Sequence, residues 1–264
     1  MKRINAALPE SMCQILEAAL DAVAPFRAVC NLVHREGNAL VVGDMEINLA
    51  GIERVLVLGA GKAAAPMAAA VAWVLRDLSP AGRLQGMVVT KYSHGSNLGE
   101  NAHMANLLIA EAAHPVPDAA GVTAGAQVLR LAESATERDL VFAVISGGGS
   151  ALLEALPEGV SLADWQQVTA LLLESGATIT EVNTLRKRVS LVKGGQLARA
   201  CHPARVVTLV LSDIVGSPLD AIASGPTVPD STSWEDAWAV VEKYALADRL
   251  PVSIIARLRA GVRG

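Results

Sequence analysis

The chain has 264 residues and a formal net charge of −4, from 22 Lys and Arg against 26 Asp and Glu, so it can bury a substantial core and lacks the basic character of a nucleic-acid binder. Its three widely spaced cysteines fit neither a disulfide framework nor a zinc site, and we therefore expect a reducing compartment, the cytoplasm. The longest uncharged apolar run, residues 63–75, is too short to cross a bilayer, and the polar first ten residues lack the apolar core of a signal peptide, so we expect no membrane partner.

Short β-branched runs alternate along the chain with longer alanine- and leucine-rich segments of helical period. This alternation is typical of strand–helix–strand units around a parallel sheet. Ser161, followed three residues later by Asp164, resembles the cap that begins a helix. In chain order the pattern predicts a helix at 11–24, a hairpin at 40–49, a strand at 55–58, a helix at 63–78, strands at 87–90 and 107–110, a helix at 119–133, a strand at 141–145, helices at 162–175 and 179–192, a strand at 206–211, and helices at 235–243 and 252–259.

These elements predict an α/β fold: a three-layer, open, mostly parallel sheet with helices on both faces, similar to the Rossmann fold. No internal repeat, low-complexity tract or linker divides the sequence. We therefore expect a single domain over residues 1–264, with a helical and hairpin lead-in at 1–54. The chain stops directly after the last predicted helix, which we interpret as a cut rather than a finished domain.

A glycine-rich turn follows the first buried strand, where Gly59, Gly61 and Lys62 fit the dinucleotide pattern G-x-G-x-x-A. The glycines would let backbone amides approach a phosphate. Lys62 would lie in the first turn of a helix, where the helix dipole disfavours a cation unless an anion is nearby. The turn therefore predicts a phosphate or carboxylate site. The alternative is a tight turn whose lysine points to solvent.

Two better-defined nucleotide sites are excluded or disfavoured by the same segment. A P-loop is excluded because Leu56 stands in place of its first glycine and Ala63 follows the lysine where Ser or Thr would bind magnesium. An NAD site needs an acidic residue at the end of the next strand, and that strand ends Thr90-Lys91-Tyr92.

The second glycine loop, Ser146 to Ser150, follows another aliphatic strand and contains Gly147, Gly148 and Gly149. Three consecutive glycines cost backbone entropy, so a plain connector is a poor explanation for them. Their exposed amides and positive φ angles would make a concave anion nest flanked by two hydroxyls. We favour a phosphate cradle over a flexible loop.

A third strand end carries Asp213, which in an open parallel sheet would lie near the two glycine loops. A carboxylate there could bind magnesium or accept a proton from a substrate hydroxyl, although a turn or capping aspartate is equally consistent with the segment.

Two further groups of residues are candidates for the same cleft. His114 and Asp118 follow an apolar run, and the alternative is that they end a strand and cap a helix. The cluster Arg186, Lys187 and Arg188, with Lys193 beyond it, could receive negative charge, or could form a solvated helix face.

The segments GAGKAA, EAAHPVPD, ISGGGSALL, EVNTLRKRVSLVKGGQLA, LSDI and IASGPTVPD, in this order, resemble the glycerate 2-kinase family, whose members are often labelled hydroxypyruvate reductase. The resemblance spans nearly the whole chain. It implies phosphorylation of glycerate at the 2-hydroxyl by ATP with Mg²⁺ or another divalent metal, in a cleft between two α/β domains. It also implies that Lys62 and Asp213 are catalytic, with Asp213 as the metal ligand, and that the loop Ser146 to Ser150 lies near phosphate or substrate.

The sequence departs from the family pattern in two respects. Gly216-Ser217-Pro218 stands where the family has an acidic residue after the glycine, and the family's smaller second domain has no counterpart in the chain. We expect a glycerate kinase domain whose small-molecule partners are glycerate and ATP, with His114 and Arg186 as further binding residues. A homo-oligomer is the one protein assembly that we expect the chain could form. Two alternatives stay open: an NAD(P)-dependent hydroxypyruvate or tartronate semialdehyde reductase, and a non-catalytic remnant.

Overall fold

The computed structural model describes residues 9–78, 81–95 and 106–264, so the polar start of the chain lies almost entirely outside the described residues. No helix in these ranges combines the length and apolar character needed to cross a bilayer. The elements are α1 Glu10–Ala22, α2 Pro25–Leu32, β1 Val33–Glu36, β2 Ala39–Val42, β3 Met45–Asn48, β4 Arg54–Ala60, α3 Ala64–Val74, β5 Leu84–Lys91, β6 Leu107–Ala112, α4 Ala119–Glu133, β7 Asp139–Ser146, α5 Gly149–Leu152, α6 Leu162–Glu174, α7 Ile179–Val189, α8 Gln196–Ala200, β8 Arg205–Leu211, α9 Trp234–Lys243 and α10 Val252–Arg263.

The main sheet has five parallel strands in the order β6-β5-β4-β7-β8. The chain runs outward from β4 through β5 to β6, then returns to the other side of β4 for β7 and β8. The carboxyl ends of β4 and β7 therefore flank the point where the strand order reverses, which is where ligands bind in open α/β sheets. The predicted α/β fold with a parallel sheet is confirmed.

Helices cover both faces of this sheet. One face packs against α3, which is so rich in alanine that it lies close to the strands, and α2 packs on α3. The other face packs against α4 and α5, and α8 packs on α4. A third apolar cluster, built around Trp165, contains no strand residue and joins α6, α7, α9 and α10. The three-layer arrangement that the sequence predicts is present, with a helical group beside it.

The lead-in differs from the prediction in its detail. The helix predicted at 11–24 is α1, which ends at Ala22, two residues before its predicted end. The pattern did not predict α2, which begins at Pro25 after the turn at Val23 and Ala24. The predicted hairpin is the antiparallel pair β2 and β3, and β1 adds a third strand to it. The pattern did not predict β1, nor the short helices α5 and α8.

Several helix boundaries follow their local signals. Ser161 and Asp164 form the reciprocal capping box expected at the start of α6. The helix predicted at 179–192 ends earlier, at Val189, and the segment after it leads into Gly194 and Gly195, which both have positive φ. The last helix runs to Arg263, four residues beyond its predicted end.

Candidate active site

The glycines of the first loop let β4 approach β7 closely. A Cβ on Gly59 would lie 1.9 Å from the carbonyl oxygen of Val144, and a Cβ on Gly61 would lie 2.0 Å from the hydroxyl oxygen of Ser146. Both glycines have positive φ, 153° and 141°, which other residues rarely adopt. Any larger residue at either position would push the two strand ends apart.

The amides of this first loop are already occupied by neighbouring strand ends. Gly61 N donates to Val89 O at 3.0 Å, and Lys62 N donates to Gly147 O at 2.9 Å. Ala63 N donates to the Ser146 hydroxyl at 3.0 Å. The first loop therefore offers a ligand the Lys62 side chain rather than a row of free amides, and Ser146 serves to join the two loops.

The second loop differs from the first because two of its backbone amides are unpaired in the described chain. Gly148 is left-handed, with φ 84° and ψ −9°, and begins the short helix α5. The N–H groups of Gly148 and Gly149 donate to no residue in the described ranges. Successive unpaired amides around a left-handed glycine form an anion-binding nest. The geometry thus agrees with the phosphate cradle that the sequence predicts here.

Lys62 and His114 meet at this nest. A Cβ placed on Gly148 would lie 3.0 Å from His114 Cδ2, 3.2 Å from His114 Nε2 and 3.4 Å from Lys62 Cε. The Lys62 side chain is exposed, and its ammonium pairs with no carboxylate of the described chain. A cation without a partner therefore lies beside unpaired amides, and both favour an anionic ligand.

Asp213 lies on the other side of the same loop. A Cβ on Gly147 would be 2.1 Å from Asp213 Oδ2 and 2.9 Å from Oδ1, so the carboxylate rests against the glycine backbone. Asp213 begins the exposed segment 213–220, and Ser212 shapes the turn by accepting a hydrogen bond from Ile214 N at 3.1 Å. The ends of β4, β6, β7 and β8 thus bring a lysine, a histidine, free amides and a carboxylate together.

The surroundings of His114 keep its imidazole neutral. Its pKa lies below the ordinary value, mainly because the ring is partly buried, and also because Lys62 and Lys91 place positive charge nearby; Asp213 opposes this shift. A neutral imidazole can donate one hydrogen bond and accept another. His114 can therefore contact a hydroxyl without adding charge to the site.

Several predicted residues have other partners. Asp118 caps α4, accepting from Gly121 N at 2.9 Å and from the Tyr92 hydroxyl at 2.7 Å, as the alternative interpretation expects. The Ser150 hydroxyl lies 2.8 Å from that of Ser224, and the role of Ser150 at a phosphate stays a prediction.

Three members of the basic cluster are paired within the protein rather than forming a solvated helix face. Lys187 and Arg188 both pair with Asp230, at 3.3 Å and 2.9 Å, and Lys193 pairs with Glu154 at 2.6 Å. These ion pairs are largely buried.

The guanidinium of Arg186 makes no hydrogen bond to the described residues. Burial lowers the pKa of Arg186, and Glu154 partly opposes this effect. No contact joins it to the glycine loop, so its predicted binding role rests on the sequence alone.

The metal prediction rests on a single carboxylate. The described ranges contain no group of three or more His, Cys, Asp or Glu side chains that could hold a metal ion. Magnesium in phosphate-transfer sites is commonly bound by one or two carboxylates together with substrate phosphates and water. Asp213, exposed beside the anion nest, fits that kind of site, and it does not fit a cage made only of protein ligands.

Sequence reasoning missed the residues that support this site from behind. Ser224, Asn183 and Glu154 are buried, and Lys91 lies near His114. Ser224 belongs to the segment IASGPTVPD, and nothing in that local pattern assigns the serine a role. Lys91 could have been found from its position at a strand end beside His114.

Comparison with known proteins identifies one matching family and several similar sequences. Residues 11–259 match the family described as "Domain of unknown function (DUF4147)". A glycerate 2-kinase from Pyrococcus horikoshii is 41% identical over 251 residues, 95% of this chain and 54% of that protein. A putative hydroxypyruvate reductase from Agrobacterium vitis is 47% identical over 193 residues, 73% of this chain and 48% of that protein.

A solved structure shares the fold. The crystal structure of a glycerate kinase from Thermotoga maritima aligns with a TM-score of 0.75 at 39% identity, covering 95% of this chain and 55% of that one. This chain therefore spans about half the length of the relatives it matches. The family match over residues 11–259 shows that the chain belongs to the DUF4147 family.

Proposed function

We propose that this chain carries the phosphate-binding half of a glycerate 2-kinase, which transfers the terminal phosphate of ATP to the 2-hydroxyl of glycerate. The observation that carries the proposal is the convergence of Lys62, the Gly147–Gly149 loop and Asp213 at one edge of the sheet. Relatives named glycerate 2-kinase and glycerate kinase support the choice of substrate.

The proposed roles follow from what phosphoryl transfer requires, which is positioning and stabilisation of charge. Lys62 neutralises charge on the transferring phosphate or on the glycerate carboxylate. The free amides of Gly148 and Gly149 hold phosphate oxygens. Asp213 orients the attacking hydroxyl or binds the metal, and neutral His114 hydrogen-bonds a substrate hydroxyl. A divalent cation, when bound, would supply further charge neutralisation at the phosphates.

We also propose that residues 1–264 form one Rossmann-like domain and that a second domain completes the cleft. The relatives are about twice as long as the part they share with this chain, which supports a further unit in the working enzyme. The exposure of Asp213 and of the segment after it also supports an open half-cleft. Three free cysteines favour a reducing compartment, and we propose the cytoplasm.

A reductase is the second candidate, because some relatives are named putative hydroxypyruvate reductase. The site gives it less support. β5 ends at Lys91 without the acidic residue that would hold the ribose of NAD, and the amide of Gly61 already donates to Val89 O. The free amides lie on the second loop, where a phosphoryl group is the better ligand.

The test supplies ATP, Mg²⁺ and glycerate to the 264-residue chain, both alone and fused to the part of the P. horikoshii relative that it does not match. Phosphorus NMR identifies the product, and 2-phosphoglycerate from either protein supports the proposal. ATP binding without turnover by both proteins would indicate a non-catalytic remnant. Oxidation of NADH or NADPH by hydroxypyruvate, without phosphate transfer, would establish the reductase instead.

Replacing Gly147 by alanine is expected to reduce phosphate transfer about 100-fold, because the new Cβ would displace the Asp213 carboxylate. Kinetics of the active form measures the loss of phosphate transfer, and chemical unfolding shows whether the substitution also changes stability. Gly51→Ala is the matched control, since a Cβ there meets nothing within 4 Å. A Gly147→Ala enzyme with the same kcat as the Gly51→Ala control would contradict the placement of Asp213 in the reaction.

A further inference from the structure

A chain of three hydrogen-bonded side chains runs behind the glycine loop, half-buried at Ser150 and buried at its other two members. The Ser150 hydroxyl lies 2.8 Å from that of Ser224, and the Ser224 hydroxyl donates to Asn183 Oδ1 at 2.9 Å. Ser224 is fully buried, and Asn183 on α7 is 6% exposed. These bonds connect α7, through the segment after β8, to the helix that begins at the triple glycine.

The order of protons in this chain follows from the acceptor at its end. A serine hydroxyl has one proton to donate. Ser224 gives its proton to Asn183 Oδ1, so Ser150 must give its own proton to Ser224. The Ser150 hydroxyl is therefore committed to holding the loop and cannot also donate to a phosphate.

The backbone around Ser224 is held in an unfavourable conformation. Ala223 and Ser224 have φ values of 51° and 61°, in the left-handed region that is unfavourable for residues other than glycine. The turn is fixed by hydrogen bonds from Gly194 N to Ser224 O at 3.0 Å and from Gly195 N to Gly225 O at 2.7 Å. Such strain persists only where surrounding contacts determine the conformation, and it concentrates at functional sites.

The same turn packs directly on the loop. A Cβ on Gly149 would lie 2.8 Å from the Cβ of Ala223, so the turn touches the backbone that carries the free amides. The other end of α5 is fixed by the buried pair of Glu154 and Lys193. The amino end is held by the Ser150–Ser224 bond, by this contact and by the hydrogen bond from Lys62 N to Gly147 O.

We propose that Ser224 is a positioning residue, which fixes the anion-binding amides of the glycine loop through Ser150 and is itself oriented by Asn183. It touches no substrate. The expected consequence for catalysis rests on the proposed kinase function, whereas the expected consequence for loop order does not.

The first test measures amide hydrogen exchange of the peptide containing residues 147–153 in the 264-residue chain, and it needs no activity. Ser224→Ala is expected to speed that exchange about fivefold, the effect of one lost hydrogen bond. Ser224→Gly also removes the hydroxyl but relieves the strained φ, so it should fold at least as well and show the same faster exchange. Unchanged exchange in both variants would overturn the proposal.

Thr169→Val is the matched control. It removes another buried hydroxyl, which donates to Trp165 O within α6 at 3.0 Å and has no bond to the loop. Exchange of residues 147–153 should stay at the wild-type rate in this variant. If Thr169→Val speeds it as much as Ser224→Ala, the effect is general destabilisation and the proposal is wrong.

The second test uses the form of the enzyme that transfers phosphate. Ser224→Gly should lower kcat roughly tenfold or more, because the amides are mispositioned. KM for glycerate should change less than twofold. A wild-type protein with no transfer would count against the kinase function alone, since the exchange result decides the role of Ser224. Faster exchange with wild-type kcat would show that loop position does not govern the reaction, and would refute the catalytic part of the proposal.

Discussion

Replacing Lys62 by alanine is expected to lower glycerate-dependent ATP turnover about 100- to 1,000-fold, the usual effect of removing one preorganised charge or donor from a transition state. The ammonium is exposed, has no carboxylate partner in the described chain, and lies beside Gly148. Because the ammonium makes no hydrogen bond or ion pair with the described residues, the free energy of unfolding should change by less than about 0.5 kcal/mol. Steady-state kinetics and urea unfolding measure the two quantities.

Lys243→Ala is the control for the Lys62 prediction. Lys243 is also exposed, and its pairing with Glu181 lies on α9 and α7 rather than at the glycine loops. Its loss should leave turnover unchanged. Calorimetric titration of the 264-residue chain with ATP adds a readout that does not need turnover, and Lys62→Ala should weaken that binding. Near-normal turnover in Lys62→Ala would remove the lysine from the mechanism.

Replacing Lys193 by methionine is expected to destabilise the fold by about 3–5 kcal/mol, because it leaves a buried carboxylate without its cation. Lys193 and Glu154 are 1% and 0% exposed, and Lys193 Nζ also donates to Leu153 O and the Ser190 hydroxyl. Burial lowers the pKa of Lys193, and the charge of Glu154 opposes that shift. Thermal and urea unfolding of the 264-residue chain measure the loss.

The double variant Lys193→Met, Glu154→Leu distinguishes the contribution of the ion pair to stability from that of side-chain packing. Removing both charges should recover much of the lost stability, since a buried ion pair is often no better than well-packed apolar side chains. Lys243→Met provides the surface comparison, with an expected loss of stability much smaller than that of Lys193→Met, because an exposed ion pair contributes little. A Lys193→Met protein as stable as this surface variant would show that Glu154 is not held charged in the core.

The sequence was sufficient for the parallel sheet because its strands are buried on both faces and appear as continuous apolar runs. It was insufficient for the basic cluster. Lys187 and Lys193 look like surface residues in a linear pattern, and their burial depends on Asp230 and Glu154, 43 and 39 residues away. Partners at such distances along the chain are set by tertiary packing, which local periodicity does not encode.

That the three motifs of the candidate site meet could be predicted from the parallel sheet itself. The carboxyl ends of parallel strands lie at one edge, so motifs that follow β4, β7 and β8 meet wherever they stand in the sequence. The sequence could not predict that the first glycine loop offers a lysine side chain whereas the second offers unpaired amides. It depends on which amides are already bonded, as Gly61 is to Val89, and on hydroxyl partners such as Ser224 for Ser150.

The central pairing of the sheet has a consequence for how the protein folds. β4 and β7 are neighbours in space, yet Arg54 and Asp139, which pair at their start, are 85 residues apart. Closing so long a loop slows folding, because entropy is lost before the contact is gained. During synthesis Lys62 therefore emerges before the loop Ser146 to Ser150, and the two cannot meet until β7 has been made.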